Sequence, residues 1–160
     1  MNDKDQLADQ LHRAWAGGAW HGPAIAEALA GISPQQASKA PIPGAHSIWE
    51  IVLHLGTWVS VVRRRIGDDP VADVPADVDW PVPNRQHAPT KADWDAALAA
   101  LASERARLLE ALGQLSDDAL RTPPPGQGFT RAELLLGLLQ HDAYHGGQIS
   151  LLAKALYATN

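Results

Sequence analysis

The chain contains no cysteine. Disulfides, thiolate metal ligands, cysteine nucleophiles and cysteine-based redox switches are therefore excluded together, and the composition suits a reducing compartment. Phenylalanine and tyrosine are scarce, at one and two residues, and methionine occurs once. Positive charge is also short: the formal net charge is −5. A protein whose main partner is a nucleic-acid backbone needs a basic excess, so that class is disfavoured. The longest apolar stretches, such as Leu134–Leu139, fall far short of the ~20 residues a membrane-spanning helix needs. The polar start, Met1–Asp5, lacks the apolar centre of a signal peptide. The expectation is a cytoplasmic protein with no nucleic-acid and no membrane partner.

What is present is ordinary in bulk and unusual in detail. A length of 160 residues with 46% apolar and 19% charged residues fits one globular domain over 1–160. The unusual entries are six tryptophans and seven histidines. Strand-type alternation and internal repeats are not visible in the pattern. Helical spacing is. Leu7, Ala8, Leu11, Ala14 and Trp15 mark a helix over 3–16, which Gly17-Gly18 interrupts. A shorter helical piece follows over 23–31, and Pro34, Pro41, Pro43 and Gly44 read as a loop. Ser47-Ile48-Trp49-Glu50 has the form of a capping box and opens a helix to Ile66, where Arg63–Arg65 complement the negative helix end. Prolines 70, 75, 81, 83 and 89 make 67–89 an irregular crossover. Thr90 caps a third long helix with the seam Trp94, Leu98, Leu101, Leu108, Leu112 and Leu115, and Ser116-Asp117-Asp118 suggests one short turn. Thr130-Arg131-Ala132-Glu133 is a second capping box, opening a last helix to Tyr157. The expectation is an all-α, four-helix bundle with a long proline-rich crossover between helices 2 and 3.

The histidines carry the chemistry. Residues i and i+4 share one face of a helix, so His141 and His145 project together, on the side of Leu134, Leu138, Ile149, Leu152 and Leu156. His54 shares its side with Ile51, Leu55, Trp58, Val61 and Val62. Three imidazoles aimed at one bundle interior are costly unless something takes up their nitrogen lone pairs. A metal ion does so. Three neutral ligands with open positions make a catalytic rather than a closed structural site, and imidazole donors suit zinc, nickel, iron, cobalt or copper over calcium and magnesium. Histidines also serve as core residues bonded to a carbonyl, and that reading stays open on spacing alone. His12, His21, His46 and His87 read as loop, surface or packing residues.

The segments HSIWEIVLHLGTWV (His46–Val59) and HDAYHGGQISLLAKAL (His141–Leu156) resemble the DinB/YfiT-like family of metalloenzymes. That family is a four-helix bundle with one histidine on its second helix and an H-x-x-x-H on its last. The resemblance implies that His54, His141 and His145 are metal ligands. Zinc or nickel would fit a Lewis-acid role there without redox chemistry, with iron, cobalt or manganese as further choices. The resemblance also implies thiol-dependent transferase or isomerase chemistry with a low-molecular-weight thiol.

A three-histidine site can activate water or a thiol. The expectation is therefore a metal-dependent enzyme, a thiol transferase or small hydrolase, acting on a small molecule and working as a homodimer. Catalytic groups beside the metal are less defined. Glu50 lies one turn before His54 but is accounted for by the capping box. Asp142 is turned about 100° from His141, a place for an orienting acceptor. Gln148 lies near the ligand side. Gly146-Gly147 weakens the helix, which close approach of another helix or a ligand would explain. Trp58 reads as core with one face to the pocket, and Trp15, Trp49, Trp80 and Trp94 as packing or rim residues. Two other readings compete. His141-Asp142-Ala143-Tyr144-His145 resembles the H-E-x-x-H of zinc peptidases, but has Asp in place of Glu and no third ligand downstream. A non-catalytic, stress-related binding protein with a structural metal or none is the alternative.

Overall fold

Capping chemistry places the long helices where the sequence writes their starts. The structure is a computed structural model that describes residues 2–69, 74–83 and 88–158. Among the described residues there are eight helices and no strand. Four are long: α1 (Asp3–Ala16), α4 (Ile48–Ile66), α6 (Lys91–Gln114) and α8 (Arg131–Ala158). The short ones are α2 (Ile25–Leu29), α3 (Pro34–Ala37), α5 (Ala76–Asp79) and α7 (Asp117–Leu120). Ser47 accepts from the Glu50 amide while Glu50 reaches back to the Ser47 amide at 2.8 Å, and Thr130 and Glu133 repeat the arrangement at 2.7 Å. These caps satisfy amide donors that the first helical turn leaves free.

The loop expected around Pro34 instead holds α3, which Ser33 caps with Pro34 at its first position. The described residues between α4 and α6 include α5, which Trp80 follows as its C-cap. Residues 70–73 and 84–87, and with them Pro70 and His87, lie outside the described residues.

Helix α4 packs on both α6 and α8, and α1 packs on the same two helices. The core between them is apolar, with Ile48, Leu55, Leu108, Leu112, Leu135 and Ile149 almost wholly enclosed. Burial of such side chains is the main favourable term in the fold. One charge sits in the middle of it. Arg105 occupies the α6 seam between Leu101 and Leu108, is 3% exposed, and forms a two-point ion pair with Asp142 of α8. A second buried arginine, Arg131, donates to the carbonyls of Ile66, Ala119 and Thr122 and pairs with Asp68. It fastens the start of α8 to the end of α4 and to α7. Helices α4 and α8 therefore run antiparallel, so that the middle of one faces the middle of the other. No helix among the described residues is long and apolar enough to cross a membrane.

Candidate metal centre

Helix α4 contributes His54 and helix α8 contributes His141 and His145. Their candidate ligand atoms all lie within 4.8 Å of one another. The ring centroids are 4.9 Å apart for His54–His141, 4.8 Å for His54–His145 and 4.4 Å for His141–His145. His54 and His145 are buried at 4% exposure each, with His141 half-buried. The helical spacing explains the placement: four residues separate the pair on α8, and antiparallel packing lays α4 across them.

The outer nitrogens decide which way the lone pairs face. His54 Nδ1 lies 2.7 Å from the Asp79 carbonyl oxygen. A carbonyl only accepts, so Nδ1 carries the proton and the Nε2 lone pair is left to the centre. The Asp79 carboxylate adds a contact at 3.2 Å and also accepts from Trp58 Nε1 at 2.6 Å. His145 Nδ1 donates to Gln148 Oε1 at 2.6 Å, which turns its Nε2 inward in the same way. His54 Nε2 then meets His141 Nε2 at 2.9 Å. His141 Nδ1 is buried with no hydrogen-bond partner among the described residues. The clustering of inward-turned Nε2 atoms, with those of His54 and His141 only 2.9 Å apart, fits a cation between them.

Burial, followed by repulsion from His145, His54 and Arg105, pushes His141 down to about 3. Burial also lowers His145, against the raising effect of the hydrogen bond it donates to Gln148. Both rings are therefore neutral at ordinary pH, the form that binds metal.

The other expected residues fall in different places. Glu50 lies in the capping box, with its Oε2 accepting from the Ser47 amide and hydroxyl. Asp142 is fully enclosed and directs both oxygens to Arg105, whose guanidinium also lies 5.3 Å from the Trp15 ring centroid. Burial raises the Asp142 carboxyl while Arg105 pulls it back. Gln148 holds His145. His46 is drawn towards the site: it stacks on one face of Trp80 at 3.7 Å, and His54 stacks on the same indole at 3.8 Å. His12 and His21 are exposed. Of the two glycines, Gly146 faces Ile25 of α2 with room for an ordinary methyl contact at 3.6 Å, while Gly147 opens on empty space. Arg63 and Arg64 pair with Glu104 and Asp69.

Three residues escaped the spacing argument: Asp79, Trp80 and Arg105. Asp79 and Trp80 belong to α5 and the turn after it, where proline masks any periodicity. Arg105 did leave a signal, as a charge at a seam position of an otherwise apolar helix face.

One cavity of about 840 Å³ is lined by Trp15, Leu29, Trp94 and Leu98 and includes no histidine. A smaller one of about 350 Å³ has His141 in its wall.

The sequence profile of the DinB superfamily matches residues 19–149, a span that includes all three histidines. No curated protein and no solved structure matches the chain.

Proposed function

The chain belongs to the DinB superfamily, and from that premise we propose that it is a metal-dependent enzyme whose His54, His141 and His145 hold one divalent transition metal. Zinc or nickel is foremost, with iron, cobalt or manganese as further choices. The fold that presents them is read as one four-helix-bundle domain over 1–160, with a proline-rich crossover between its second and third long helices. The observation that carries this is the convergence of three imidazoles from two separate helices, two of them buried and the third half-buried. Bound there, such an ion lowers the pKa of a coordinated water or low-molecular-weight thiol.

The chain's own residues do the rest. Asp79 and Gln148 fix the tautomers and ring planes of His54 and His145. Trp80, stacked on His54, covers the imidazole and keeps water from that side. Trp58, tied to Asp79, stands beside His141 with ring centroids 6.1 Å apart. Neither Glu50 nor Asp142 is assigned a proton-transfer role, because the capping box and Arg105 account for them. The reaction class is a thiol transfer or isomerisation, or a small-molecule hydrolysis.

Metal analysis of protein purified without an affinity tag is the test. About one transition metal per chain is expected, and His54→Ala should lose it. After cobalt substitution, 2-mercaptoethanol should change the visible spectrum if a thiol reaches the ion; an unchanged spectrum removes the thiol branch and leaves hydrolysis. A chain that takes up no metal returns the reading to a non-catalytic, stress-related binding protein. The same reading takes the protein as a cytoplasmic homodimer with no nucleic-acid or membrane partner, and light scattering at micromolar concentration checks the dimer.

A further inference from the structure

A cavity of about 350 Å³ runs between α4 and α8 with His141 at one end. Its size falls in the range of small-molecule sites. Because the two helices are antiparallel, its walls are ordered along its length. Trp58 stands near His141, Val62 and Leu138 follow, and Arg65, Glu133 and Phe129 lie at the far end. Between the histidine and that far pair the wall is apolar. Arg65 and Glu133 carry opposite charges, and Glu133 is engaged with Thr130 at 2.8 Å. The body of the cavity thus offers no fixed charge to attract an ionic ligand.

Gly137 supplies the second observation. It lies inside α8, where glycine weakens a helix by about 1 kcal/mol relative to alanine. No close helix neighbour demands it, since a Cβ built there meets nothing within 4 Å. The position lines this cavity, so a side chain at 137 would project into it. Gly137 is itself exposed, so it lines the solvent-facing side of the cavity, and the lack of a side chain there leaves that side clear.

We propose that this channel binds an uncharged alkyl or aryl group, with the reacting atom of the same molecule at the His141 end. This rests on the metal-site reading for the reaction but not for the binding. From Glu133 to His141 the helix rises about 12 Å, which matches an extended chain of roughly eight carbons.

The test uses a homologous series of n-alkanols, butanol to decanol, titrated calorimetrically into metal-free protein. The same lengths of n-alkanethiol are then added to cobalt-loaded protein and followed by visible absorption. In wild type each added methylene should tighten binding about two- to fourfold, levelling off near eight carbons in both arms. Gly137→Ala should move the plateau to shorter chains, and Gly137→Leu should abolish the length dependence in both. Both substitutions raise helix propensity, and circular dichroism melts verify that they fold. Length-independent binding to wild-type metal-free protein, or an unaltered series in Gly137→Leu, overturns the proposal. Because the metal-free arm reads the channel alone, a chain that fails to load cobalt sinks the metalloenzyme reading and leaves the alkanol result to decide the channel.

Discussion

Asp142 adjoins a candidate metal ligand in sequence, and its partner decides what it does. Both its oxygens meet the Arg105 guanidinium in a fully enclosed setting. Removing one member of such a pair strands the other without solvent, at a cost of about 3–5 kcal/mol. Asp142→Asn should therefore lose stability on that scale in urea melts. The double variant Arg105→Met, Asp142→Leu should recover most of the loss, because packed apolar groups replace buried ions with little penalty. Both should still load metal, a result that a catalytic or ligating Asp142 would not allow. Asp79 should behave in the opposite way. Asp79→Ala keeps the backbone carbonyl that accepts from His54 Nδ1 and removes only the carboxylate near His54 and the acceptor for Trp58, so the loss in metal affinity should lie at the low end, about 10-fold, of the range for residues that orient metal ligands. Competition with a chelating dye measures it, with stability little altered because Asp79 is partly exposed. His141 is lowered to about 3 from an ordinary value of 6.5, so between those values the unfolded chain binds the extra proton. Stability of the metal-free protein then falls as pH drops through that window. In His141→Asn the loss should be smaller, and melts at pH 7, 5.5 and 4 should show the gap moving in the variant's favour.

At the scale of elements, the ends of the helices are the most legible feature and the glycines the least. Gly147 reads as a close-approach residue because a helix interior seldom keeps one without reason. Yet a Cβ there meets nothing, and the site is exposed. Gly147→Ala should stabilise the protein by up to about 1 kcal/mol, seen as a higher melting temperature. The four long helices follow their apolar periodicity and caps within one or two residues, because those signals are local. In the sequence Pro34 suggests a breaker and hence a loop, yet a proline at the first position of a capped turn starts a helix, as it does in α3. The convergence of His54, His141 and His145 could be argued from face and spacing alone. What holds those rings could not. Asp79 and Trp80 come from a proline-rich stretch without periodicity, and their contacts with His54 span 25 and 26 positions. Arg105 and Asp142 are 37 apart, and only the packed structure shows that each neutralises the other.

At the scale of the whole molecule, the question is whether the fold depends on the ion. Domains that fold around a structural metal lack a sufficient core of their own and unfold when it is chelated. Here the interior is filled by side chains from all four long helices, with the Arg105–Asp142 pair joining α6 to α8 and Arg131 joining α8 to α4 and α7. None of these contacts passes through the three histidines. The chelated chain should therefore keep its helical circular dichroism and melt cooperatively. Reloading should raise the melting point only by mass action, about 2.7 kcal/mol of added stability at a free metal concentration one hundred times Kd. His54→Ala, which cannot load, should melt alike with and without added metal. Loss of helix on chelation would make the ion a structural staple, and the open coordination positions on which thiol or water activation depends would lose their rationale.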